Sequence, residues 1–174
     1  MSEADNSWAR LATHVIRVAL ARGDIGYVEL SNALTTDGVE ESERTLVNRV
    51  SRGSVRLTFL LQIIQVSDDD PPALWADALR MSGTWEARAC AVMAAELSRQ
   101  PWVTPEELVH RLALLGILTT EKTLTSHLTE GTVPLSVFLQ CIAALGSPSL
   151  DRFIPFTALI SAAKSGVGVV VGAG

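Results

Sequence analysis

Between Arg44 and Arg56 the chain reads RTLVNRVSRGSVR: four arginines, one asparagine and no carboxylate. Guanidinium groups bind phosphate and the edge of guanine, and an asparagine amide pairs with adenine, so this mixture suits a protein that holds DNA and reads its major groove. On a helix over residues 42–52, turning about 100° per residue, Leu46 and Val50 share one side with Val47 beside them. Arg44, Asn48, Ser51 and Arg52 lie roughly opposite, and Arg49 and Arg56 flank that stripe as phosphate contacts. The predicted nucleic-acid-binding set is therefore Arg44, Asn48, Arg49, Ser51, Arg52 and Arg56, with double-stranded DNA as partner. The plain alternative is a solubilising helix face, because Glu40, Glu41 and Glu43 are close enough to pair with these cations and cancel their field.

Other chemistries find no support. His14, His110 and His127 fall on separate helical segments, and no HExxH, phosphate-cradling glycine loop or nucleophile elbow occurs. GVGVVVG near the end of the chain has no strand-turn-helix context, and the carboxylates of DGVEESE and SDDD read as helix-start acids and linker. No catalytic residue, cofactor or metal is predicted. Cys90 and Cys141 are far apart without CxxC spacing, so both read as small core residues in a reducing compartment. MSEADNSW lacks the basic start and apolar run of a secretory signal, and a cytoplasmic location is predicted.

The elements that must position the arginines come from a repeat. Residues 29–64 match 107–142 at an offset of 78, as in Glu29/Glu107, Leu34/Leu112, Gly38/Gly116, Thr45/Thr123, Leu46/Leu124, Gly53/Gly131 and Leu57/Leu135. Upstream the offset becomes 77, pairing Trp8 with Trp85, Val15 with Val92 and Arg22 with Arg99. The 174 residues, 48% hydrophobic with few aromatics, are enough for a packed core of close-fitting helices. The net charge of −5 excludes a protein that coats nucleic acid with its whole surface, so any such site must be local.

Apolar spacing predicts helices over 8–22, 26–35, 42–52 and 55–66 in the first unit, with Gly53 stopping the third in the left-handed conformation. The second unit repeats them near 85–99, 105–115, 120–130 and 134–145; there Thr104 is the N-cap, Pro105 the first helical residue and Glu107 the partner in a capping box. SDDDPP breaks the chain, and PALWADALRMSG reads as a connecting helix stopped by Gly83. The expected organisation is a first unit over 1–70, a connecting helix over 71–83, a second, degenerate unit over 84–150 and an apolar tail over 151–174.

A short helix, a turn, a second helix closed by Arg52-Gly53 and then an apolar helix is the helix-turn-helix order. In detail, YVELSNALTTDGVEESERTLVNRVSRGSVRLTFLLQIIQV resembles the lambda-repressor-like class. It is still more similar to a bacterial family known as domain of unknown function 6471, on the pattern that runs from Thr45-Leu46-Val47-Asn48-Arg49 to Arg52-Gly53. Ser51 stands where the repressor class usually has glutamate, and Thr45 where the other family favours asparagine. The resemblance implies an all-α protein of two tandem helix-turn-helix units.

The second copy keeps the apolar frame but carries Lys122, His127 and Glu130 in place of the arginine run. The first unit is therefore the expected DNA-binding element, with regulation of transcription as the role, and the second unit serves packing or dimerisation. In the tail, Lys164, Pro155 and the glycines argue against a membrane span. Residues 151–164 are expected as a helix over the core, and GVGVVVGAG as an extended strand docked on its own domain or on a second subunit, giving a homo-oligomer or a protein-partner contact. The competing function is a non-DNA-binding adaptor or self-assembling scaffold on the same frame.

Overall fold

The computed structural model describes residues 3–36, 38 and 40–171. In the first unit, α1 (Glu3–Arg22), α2 (Tyr27–Thr36), α3 (Glu43–Arg52) and α4 (Leu57–Val66) follow one another. Ser42 caps α3, its hydroxyl accepting the Thr45 N–H at 3.2 Å, and Gly53 ends it at φ 65°. No other residue fits there: a Cβ on Gly53 would collide with the Ala9 carbonyl of α1. The left-handed glycine thus both stops α3 and lets it lie directly on α1.

The second unit is built the same way from α6 (Trp85–Ser98), α7 (Pro105–Leu114), α8 (Glu121–Glu130) and α9 (Leu135–Leu145). Thr120 caps α8 through the Thr123 N–H at 3.1 Å, and Gly131, at φ 67°, lies on the backbone of Glu86. In both units the first helix is also tied to the third by a side chain. Thr13 donates to the Val50 carbonyl, and Cys90 to the Thr129 carbonyl.

The units meet about a local two-fold. The Leu57 N–H donates to the Val133 carbonyl at 3.0 Å and the Leu135 N–H to the Val55 carbonyl at 2.8 Å. Val55 and Val133, like Leu57 and Leu135, are repeat equivalents, so exchanging the units maps this pair of bonds onto itself. The same exchange turns the packing of α1 on α9 into that of α6 on α4, and both seams are present. A single core results, with Trp8, Ile16, Leu46, Leu60, Val92, Leu124 and Phe138 all buried.

Two further pieces complete it. A 3-10 turn (Ala73–Trp75) leads into α5 (Ala76–Arg80), which packs on α6, and buries Trp75 edge-on to Phe138 at 5.6 Å. The Trp75 indole N–H donates to Glu96 at 2.6 Å, and the Ser147 hydroxyl donates to the other oxygen of the same buried carboxylate at 2.6 Å. The final helix, α10 (Phe156–Val171), packs on α1 and α9 and buries Leu159, Ala162 and Ala163.

The structure is all-α, and among the described residues its β-pairing is limited to the Arg56–Pro134 bridge. Three details differ from the sequence reading. α1 runs from Glu3 rather than from Trp8, and Asp5 is an acid that suits the early turns of a helix. α5 ends at Arg80, with Met81 as cap, so Gly83, at φ 125°, belongs to the following loop rather than stopping the helix. Residues 166–171 continue α10 instead of forming a strand, because a helix already anchored by Leu159, Ala162 and Ala163 propagates at the cost of one residue at a time. The last three residues of the expected strand, 172–174, lie outside the described residues. Among the described residues, no helix is long and apolar enough to cross a membrane.

Candidate nucleic-acid interface

α3 is anchored from below by Leu46 and Val50, both fully buried against α1 and α2. That anchoring turns Arg44, Asn48, Ser51 and Arg52 outward, and all four are exposed. Arg56, at the cap of α4, is exposed as well. No ion pair engages Arg44, Arg52 or Arg56 among the described residues. Glu40 and Glu43 are exposed neighbours that leave these guanidinium groups unpaired.

Arg49 stands apart from this group. Its guanidinium pairs with Glu41 and lies 5.5 Å from the centre of the Phe59 ring, half-buried between the α2–α3 loop and α4. Glu41 is held from the other side, its backbone carbonyl accepting the Ser31 hydroxyl at 2.6 Å, while its second carboxylate oxygen is buried without a hydrogen-bond partner among the described residues. Arg49 therefore fastens the loop to the helix rather than standing free as a phosphate contact. Pairing with Glu41 is the alternative the sequence allowed, whereas the contact with Phe59 was not anticipated, because that ring comes from the next helix.

In the second unit the equivalent face carries a different charge. Lys122 occupies the place of Arg44, and Ser126 that of Asn48, where its hydroxyl donates to Glu130 at 2.8 Å. Glu130 takes the place of Arg52, which reverses the sign at that position. His14, His110 and His127 lie on α1, α7 and α8 respectively. Thr104 caps α7 as the sequence suggests, and the Glu107 carboxylate accepts from Arg111 one turn later at 2.9 Å.

Of the two cysteines read as core residues, only Cys141 lies in the core, while Cys90 donates to the Thr129 carbonyl at its edge. Cys141 is fully buried and its thiol is pushed up to about 12 by burial; Cys90 is half-buried and is raised by the same cause. A cleft of about 590 Å³ opens where Trp8, Arg52 and Ser54 of the first unit face α7, α8 and α9 of the second, and sequence reading did not anticipate it. Its one legible signal was the loss of bulk from Glu41, Arg49 and Phe59 to their repeat equivalents Thr119, His127 and Val137, which becomes visible once those positions are known to meet.

No curated protein and no solved structure matches the chain. Residues 8–68 and 85–150 each match one family model, and these are the two four-helix units just described. The chain thus belongs to the family described as Domain of unknown function (DUF6471) and carries its unit twice.

Proposed function

We propose that the chain is a DNA-binding protein, with a role in regulating transcription, in which α3 of the first unit enters the major groove. One observation carries this reading: Arg44, Asn48, Ser51 and Arg52 on the firmly packed α3, with Arg56 at the cap of α4, are exposed, and their guanidinium groups have no ion pair among the described residues, in a chain whose net charge is −5. A cationic surface whose guanidinium groups form no ion pair among the described residues suits phosphate, although Glu40 and Glu43 lie nearby, and Asn48 among the arginines adds a group able to discriminate bases. Arg49 contributes by bracing the α2–α3 loop. The second unit and α10 serve packing or assembly into an oligomer, and the setting is cytoplasmic.

Titration of labelled duplex DNA at two salt concentrations tests this. Binding should weaken as salt rises, and Arg44→Ala/Arg52→Ala should lower the slope of log K against log salt by about 0.9 for each phosphate that the variant no longer neutralises. Absence of binding at low salt would leave the adaptor reading, which the net negative charge and the exposed Trp102, Leu114 and Leu118 favour.

A further inference from the structure

The cleft between the units has a counterpart within the same molecule that shows what it lacks. In the first unit, Glu41, Arg49 and Phe59 occupy one another: a carboxylate on a guanidinium, and the guanidinium over a ring. Their repeat equivalents are Thr119, His127 and Val137, and all three line the cleft. The second copy has therefore lost a carboxylate and an aromatic ring at the same place. It retains a ring N–H on His127, hydroxyls on Thr119 and Ser136, and an apolar wall that includes Ile117. Arg52 of the first unit supplies a full positive charge at the rim, exposed and without an ion pair among the described residues.

We propose that this cleft binds an aryl carboxylate, whose ring takes the space filled by Phe59 in the first copy and whose carboxylate stands in for Glu41. Two fused rings fit a cleft of this size, which lies within the range of about 300–1,000 Å³ usual for small-molecule sites. An ion without an apolar body, such as inorganic phosphate, gains nothing from the wall. The ring is what makes the ligand fit, and the charge orients it toward Arg52 and His127. The site does not depend on DNA binding, since it is built from the contrast between the copies.

Isothermal titration of the full chain with 2-naphthoate tests the proposal, with 2-naphthamide as the neutral isostere. One saturable site is expected, with the amide about tenfold weaker, the loss of one charge-assisted hydrogen bond. Val137→Phe restores the first copy's ring and should abolish binding. Thr119→Glu, at a half-buried position, restores the first copy's carboxylate and should weaken binding by about tenfold or more, with circular dichroism confirming that each variant is helical. Unchanged affinity in either folded variant, equal affinity for the amide, or no saturable binding by the folded wild-type chain overturns the proposal. If Val137→Phe fails to fold, Thr119→Glu and the amide still decide it.

Discussion

The first and second units share their architecture down to individual hydrogen bonds, yet they present opposite surfaces. Ser42 and Thr120 cap the same helix in the same way, Gly53 and Gly131 end it at nearly the same φ, and each glycine touches the backbone of its own unit's first helix. What differs is what the frame displays. Arg52 becomes Glu130, Asn48 becomes a serine bonded to that glutamate, and the Arg49–Glu41–Phe59 cluster becomes an open cleft. The two glycines that lie on a neighbouring backbone have stayed constant, because no side chain fits there, whereas side chains that meet only solvent or other side chains have diverged.

The sharpest test of the common frame is the pair of glycines. Gly53→Ala and Gly131→Ala each force a Cβ into a carbonyl of the neighbouring helix at positive φ, and each should cost about 3 kcal/mol or more, measured by urea denaturation. A large loss in one unit and a small one in the other would show that the frames are not equivalent.

The next effect is specific to the second unit. Ala19 of the first unit is replaced by Glu96, which holds both Trp75 and Ser147. Glu96→Ala restores the first unit's residue but strands a buried indole N–H, and it should destabilise by about 1–3 kcal/mol in thermal or chemical unfolding. A neutral outcome would mean that the network adds no net stability.

A smaller contrast concerns the loops. Arg49→Ala leaves the half-buried Glu41 carboxylate unpaired and should cost about 1 kcal/mol, whereas His127→Ala at the equivalent position should cost little. If Arg49→Ala/Glu41→Ala is no more stable than Arg49→Ala alone, the pair is not the reason for the loss.

At the small end, the Arg22 hydrogen bond holds the Asp69 carboxyl below its ordinary range, while the equivalent positions of the second unit are Arg99 and Ser147. A carboxyl whose pKa is lower in the folded state stabilises the fold above its ordinary value, and this contribution is lost as pH falls through the folded value. Asp69→Asn should therefore flatten the acid limb of the stability curve slightly, read by thermal melts between about pH 5 and pH 2. The thiols give a last check: with Cys141 pushed up to about 12, a thiol reagent at neutral pH should modify it only after denaturation, because the thiolate is the reactive form.

Much of this was readable from residue types alone. The offset of 78 located both units, and periodicity with Ser, Thr and Gly punctuation placed their helices within a few residues, because caps and apolar stripes act over one or two turns. The tail was read less well. Alternating Val and Gly has the pattern of a strand, but packing of Leu159, Ala162 and Ala163 on α1 and α9 carries the helix through to Val171. Of the six arginine-face residues, five are exposed, and only the approach of Glu41 and Phe59 removed Arg49 from them.

The sequence by itself determined the helices of the two units, the caps of α3, α7 and α8, the duplication and the charge difference between the copies, since helices and caps rest on interactions between near neighbours and the rest is composition. Tertiary structure alone decided that the copies clasp each other through the Leu57–Val133 and Leu135–Val55 bonds, and that a cleft lined by Arg52 of the first unit opens beside His127 of the second. Those outcomes depend on which surfaces meet across 78 residues of separation, where no local preference reaches and the joint burial of apolar area governs.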